Sequence, residues 1–79
     1  MTLNLLAFGI FTDIFKGHQL TLEVVAPLTV GQLKAYIVKN YPQTEALNFA
    51  VAVDEAYADD NLQITENQTI ALIPPVSGG

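Results

Sequence analysis

The sequence predicts an α+β fold: a mixed sheet of about four to five strands with one main helix packed on one face. Three observations lead there. One segment carries a complete helix signal, several short β-rich segments surround it, and the first and last of these are apolar on both parities, as strands inside a covered sheet are. The 79 residues fit one compact unit and exclude a second domain.

The elements follow in order. Leu3 to Phe8 opens the chain as a strand, with Leu3, Leu5 and Ala7 on one parity and Leu6 and Phe8 on the other, behind the single polar Asn4. Leu20, Leu22 and Val24 then alternate with Gln19, Thr21 and Glu23, the period-2 pattern of a strand with one buried face. Thr29 is placed to cap a helix, Gln32 to complete the capping box, and Leu28 to staple against Leu33. Val30, Leu33, Ile37 and Tyr41 continue at helical spacing until Pro42 closes the segment after about three turns. Leu47 to Val53 and Thr69 to Ile73 read as further strands, the second preceded by a tight turn at Glu66-Asn67, since Asn tolerates left-handed backbone. Between Tyr57 and Leu62 the chain reads as loop with room for one short strand. The expected order is strand, strand, helix, strand, short strand, strand.

One helix covers one face of a sheet and leaves the other open. Either Phe11, Ile14 and Phe15 fold over that second face as loop residues, or an apolar patch that includes Phe8 and Ile73 stays exposed and docks onto another protein. With 14% charged residues against roughly 25% in an average domain, the surface is short of charge, which favours the docking patch.

Composition excludes several function classes. The net charge is −5, the only cations are Lys16, Lys34 and Lys39, and there is no arginine, so nucleic acid and anionic membrane surfaces are not expected partners. Without cysteine there is no disulfide, thiolate nucleophile or Cys-held metal. No metal is expected and no cofactor is expected to be bound. A chain this short has little core to spare for an enclosed substrate pocket, which argues against catalysis by the chain alone. Its apolar runs fall short of the ~20 residues that span a bilayer, and Met1-Thr2-Leu3-Asn4 has no basic segment of the secretory kind, so a cytoplasmic location is expected.

The last residues, Ile73-Pro74-Pro75-Val76-Ser77-Gly78-Gly79, are the most specific part of the chain. Two prolines fix φ, cannot continue a β-ladder and hold the chain away from the sheet. Residues 1–75 are therefore read as the folded domain and residues 76–79 as an extended tail, with a reach of at most about 13–14 Å beyond Pro75. Gly78 and Gly79 lack Cβ atoms and fit a narrow channel. A carboxylate at Gly79 is anionic at neutral pH and a poor electrophile. Adenylation by ATP would convert it to a mixed anhydride open to sulfide or a persulfide, giving a thiocarboxylate. A Gly-Gly ending is also what a frayed terminus or a cloning remnant leaves. Its place directly behind an apolar strand and a Pro-Pro stop argues for the chemical reading.

The element order resembles the β-grasp, or ubiquitin-like, fold, and Pro74-Pro75-Val76-Ser77-Gly78-Gly79 resembles the signature of the molybdopterin synthase sulfur-carrier (small-subunit) family. The likeness extends through Ala52-Val53, the Thr65-Glu66-Asn67 turn and the Ile70-to-Ile73 strand. It implies a sulfur carrier of molybdenum cofactor biosynthesis. A ubiquitin-activating-type adenylyltransferase would consume ATP to adenylate Gly79, and a sulfur donor protein would complete the thiocarboxylate. The tail residues Pro75, Val76, Ser77 and Gly78 would then enter the active site of the large catalytic subunit, in a heterotetramer of two copies each. There Gly79 would give its sulfur to cyclic pyranopterin monophosphate, and two deliveries would build the dithiolene. The docking positions implied by the resemblance are Phe8, Tyr57 and Ile73. Related alternatives are a carrier for thiamine or another pathway, and a ubiquitin-like modifier joined to lysines through Gly79. Two departures stand out: Thr12-Asp13 replaces a common Arg-Glu pair, and Asp54 replaces a frequent Asn, which bears on a partner contact.

Other residues carry less. His18 is the only histidine and has no second ligand beside it; Asp59-Asp60-Asn61 lacks the alternating oxygens and closing glutamate of a calcium loop; Glu55 and Glu66 are not placed as an acid–base pair. Phe8, Phe11 and Phe15 read as core filling plus a docking rim.

Overall fold

The computed structural model describes residues 1–75; Val76, Ser77, Gly78 and Gly79, which carry the tail expectations, lie outside the described residues. The elements are β1 (Thr2–Ala7), α1 (Ile10–Phe15), β2 (Gln19–Glu23), β3 (Leu28–Thr29), α2 (Val30–Asn40), a 3-10 turn (Pro42–Thr44), β4 (Ala50–Val53), β5 (Ala56–Tyr57), β6 (Gln63–Ile64) and β7 (Ile70–Ile73). Five strands form one sheet in the order β2-β1-β7-β4-β5, in which β1 and β7 run parallel and the other pairs antiparallel. β3 and β6 form a separate two-stranded ladder. The mixed sheet with one main helix is the expected β-grasp arrangement.

Register explains the core. Leu3 pairs with Leu22 and Leu5 with Leu20; Leu5 also faces Ile70 and Ala7 faces Leu72; Leu72 faces Val51 and Ile70 faces Val53. These residues all point to one side of the sheet, where Val30, Leu33 and Ile37 of α2 lie fully buried against them. The expected caps hold α2 in place: Gln32 N donates to Thr29 Oγ1 at 3.2 Å and Thr29 N to Gln32 Oε1 at 2.8 Å. The helix ends before Pro42, where Tyr41 N still donates to the Ile37 carbonyl.

Phe11, Ile14 and Phe15 do not fold over the second sheet face as loop residues, the alternative to an exposed docking patch. Residues 10–15 wind into α1, and its Phe11 is fully buried. The Phe11 ring centroid lies 5.6 Å from that of Phe15 and 5.2 Å from that of Phe49, and Phe15 meets Tyr41 at 4.8 Å. Offset and edge-on aromatic pairs of this kind add to the area they bury. The cluster extends the core and leaves the outer face of the sheet bare.

The β4–β5 hairpin turns at Asp54 and Glu55, both with positive φ (52° and 71°), as a two-residue primed turn requires. Asp54 is fixed in this turn: its carboxylate accepts from Thr69 N at 2.9 Å while its own N–H donates to the Thr69 carbonyl at 2.8 Å. Among the described residues the Glu55 side chain makes no such bond. Left-handed backbone costs a non-glycine residue roughly 1–2 kcal/mol, so Glu55→Gly is expected to stabilise the fold by about 1 kcal/mol. Thermal unfolding should show this as a rise in Tm of about 4–8 °C; an unchanged Tm would mean that the turn is relaxed with Glu in place.

Candidate functional site

The outer face divides into a polar and an apolar half. On β1 and β2 the outward residues are Thr2, Asn4, Thr21 and Glu23, and they satisfy one another: the Thr2 hydroxyl donates to the Glu23 carboxylate and Thr21 Oγ1 to Asn4 Oδ1 at 3.0 Å. Toward the other end of β1 the pattern changes. Leu6 pairs with Ala71, Ala71 with Ala52, and Ala52 with Tyr57, so one outward row crosses four strands. In the next row Ile73 pairs with Ala50, and Phe8 continues the outward parity one residue beyond β1.

The two central alanines are short and the flanking Leu6, Phe8, Tyr57 and Ile73 are tall, which makes an open groove of about 390 Å³. Among the described residues Glu55 and Thr69 complete its lining. Phe8 is 47% and Tyr57 76% exposed, high values for large apolar side chains. The structure therefore brings Phe8, Tyr57 and Ile73 together around one groove, the three positions that the resemblance named for docking.

The groove adjoins the chain's exit from the sheet. Because β7 runs parallel to β1, the chain leaves β7 at Ile73 on the side where β1 ends at Ala7. Pro74 lies against Gly9, and Pro75 is the last described residue. A protein seated on Phe8 and Ile73 thus stands beside the root of residues 76–79. Pro75 is exposed there.

Several contributors were not legible beforehand. Parity puts Phe8 and Ile73 in an apolar patch, but it did not place Ala52 or Tyr57 beside them, because parity carries no strand order or register. Gly9 carried no sequence signal of its own. Thr12, which departs from the family's Arg, turns inward to its own helix start: its hydroxyl donates to the Gly9 carbonyl at 2.7 Å.

The remaining candidates do not converge. His18 is exposed, and its carbonyl accepts from Ala7 N at 2.8 Å. Asp60 pairs with Lys34 Nζ at 2.8 Å and accepts from Gly31 N through its carbonyl, fastening the loop to the start of α2. Among the described residues no group of three or more His, Asp or Glu is arranged to hold a metal, and no helix is long and apolar enough to cross a membrane.

Comparison with known proteins matches residues 6–79 to the model of the ThiS family. The molybdopterin synthase sulfur carrier subunit of Caenorhabditis briggsae is 29% identical, with 100% of this chain and 99% of the relative covered. Among solved structures, the protein–protein complex of subunits 1 and 2 of the molybdopterin-converting factor from Helicobacter pylori contains a similar chain (25% identity, TM-score 0.67, both chains fully covered). Small archaeal modifier protein 1 from Haloferax volcanii superposes with a TM-score of 0.79 over 95% of this chain and 98% of its own, at 18% identity, a likeness of fold alone.

Proposed function

The chain belongs to the ThiS family, and from that premise we propose that it is a sulfur carrier of molybdenum cofactor biosynthesis, working as the small subunit of molybdopterin synthase. The observation that carries this reading is the position of the apolar groove beside the root of the Gly-Gly tail. A carrier has to hold its partner with one surface and reach into it with another, and here the two surfaces share Ile73 and its neighbours.

The chemistry resides at Gly79. A ubiquitin-activating-type adenylyltransferase binds the chain and ATP, and the Gly79 carboxylate attacks the α-phosphorus with loss of pyrophosphate. Sulfide attacks the acyl adenylate and expels AMP, leaving a thiocarboxylate; with a persulfide donor the same attack gives an acyl disulfide, which a second thiol cleaves by forming a disulfide with the donor's sulfur and releasing the thiocarboxylate. The charged carrier then docks on the large subunit through Phe8, Tyr57 and Ile73, and Pro75 to Gly79 enter that subunit's active site. Sulfur leaves for the pterin precursor, and water restores the carboxylate. The body binds no cofactor of its own, and the cycle runs in the cytoplasm within a complex of two small and two large subunits. The similarity to a chain of the H. pylori complex of molybdopterin-converting factor subunits 1 and 2 supports the large subunit as partner.

Reconstitution tests this directly. Chain loaded with thiocarboxylate, mixed with large subunit and cyclic pyranopterin monophosphate, is expected to yield dithiolene product and return to the carboxylate form. A loaded chain that binds the large subunit yet gives no product would assign it to thiamine or another sulfur-requiring synthesis. Stable conjugates to lysine in place of product would mark a protein modifier.

A further inference from the structure

We propose that Gly9 is a positioning residue for sulfur delivery: the space left by its missing Cβ seats Pro74, and this contact sets the direction in which the chain leaves β7 toward Gly79. The inference rests on the carrier reading above and adds a residue to it.

Two independent features require glycine at position 9. Its backbone lies at φ 55° and ψ −129°, a conformation that L side chains rarely adopt. A Cβ built there would stand 2.9 Å from Pro74 Cγ and 3.8 Å from Pro74 Cβ, closer to Cγ than packed carbons come. The proline ring occupies the volume that any other residue would fill.

Neither side of this contact is free to give way. On the body side, the Gly9 carbonyl accepts from Thr12 N at 3.1 Å and from Thr12 Oγ1 at 2.7 Å, and the Phe8 carbonyl accepts from Phe11 N at 3.0 Å. Rotating the Gly9 peptide would break the first turn of α1, whose Phe11 is anchored in the core. On the tail side, Pro74 and Pro75 have fixed φ, and each residue preceding a proline is confined to extended backbone. A displacement at Pro74 is therefore passed on to Pro75, from which residues 76–79 start. The partner meanwhile is held by the groove, so a redirected tail would present its carboxylate in the wrong place within a normally docked complex.

The test uses Gly9→Ala, Pro74→Ala and the double variant. Gly9→Ala is expected to bind the large subunit within about threefold of the parent, while single-turnover sulfur transfer at saturating partner falls tenfold or more, since misplacement by 1 Å can cost ~10²-fold. Removing the ring atoms should relieve the clash but not the strain at φ 55°, so the double variant is expected to recover a large part of the rate lost between Pro74→Ala and Gly9→Ala. A glycine required only by its backbone conformation would give no such recovery. The second readout needs no sulfur chemistry. The chain has no cysteine, so a spin label at Gln19→Cys is unique, and the broadening it causes at the Gly78 and Gly79 amides should change in Gly9→Ala and return in the double variant. Thr12→Val keeps Gly9 and removes only the hydroxyl brace; it is expected to shift the same amides to a smaller degree, and it serves where Gly9→Ala does not fold. Unchanged amide broadening in the folded Gly9 or Thr12 variants, or a transfer defect undiminished in the double variant, overturns the proposal. Amide changes as expected in a chain that never transfers sulfur would leave the geometry standing and remove the carrier reading instead.

Discussion

Adding one residue after Gly79 is expected to stop sulfur loading while leaving the folded body and its docking groove intact. The added peptide bond converts the reactive carboxylate into an amide, and the new carboxylate sits one residue too far along the tail. Misplacement by 1 Å can cost ~10²-fold in an oriented reaction, and one extended residue adds about 3.3–3.6 Å. Loading by ATP, the adenylyltransferase and a sulfur donor should therefore drop below about a hundredth of the unextended chain. Intact mass reads the outcome as exchange of one oxygen for sulfur. Full loading of the extended chain would remove Gly79 from its role. Binding to the large subunit, measured in parallel, should stay close to that of the parent, because Phe8, Tyr57 and Ile73 are untouched.

The second large effect is expected at the groove. Phe8 and Tyr57 offer large apolar side chains to solvent at the two ends of the apolar rows, with the floor between them formed by Ala52 and Ala71. Aromatic anchors of this kind carry much of the binding energy of an interface, roughly 2 kcal/mol or more each when truncated, which is about 30-fold in Kd. Phe8→Ala and Tyr57→Ala are each expected to weaken the complex with the large subunit by at least about tenfold, and together by more than about a hundredfold. Stability of the free chain should move by only about 0.5 kcal/mol, since neither residue belongs to the buried core. Titration calorimetry for binding and urea unfolding for stability separate the two. Variants that bind as tightly as the parent would place the partner on another face.

Much of this geometry is readable from the chain, and what is not has physical causes. The α2 segment is legible because its signals are local: Thr29, Gln32 and Pro42 mark its ends through contacts within a few residues. The two-sided apolar character of β1 and β7 likewise marks central strands and, with a single long helix available, an exposed face. The short helix α1 escapes because Ile, Phe and Thr lack strong helix propensity and six residues make little more than one and a half turns. It exists because Phe11 finds Phe15 and Phe49, a tertiary cause that periodicity does not express. β4 begins at Ala50 rather than Leu47, since Leu47 N is held by the Thr44 carbonyl in the turn before it. The two-residue strands β3, β5 and β6 are too short to carry a pattern. The site divides in the same way. Phe8 and Ile73 follow from parity, whereas the row that joins Leu6, Ala71, Ala52 and Tyr57 needs strand order, and the fit of Pro74 on Gly9 needs coordinates.

The most direct measurement is the mass of the peptide containing Gly79, cut from protein isolated out of cells that make the molybdenum cofactor. Sulfur carriage requires a fraction in which one oxygen is replaced by sulfur, and that fraction must disappear when the protein is mixed with the large subunit and pterin precursor. A peptide that carries only oxygen in every fraction, from cells whose molybdoenzymes are active, would contradict it.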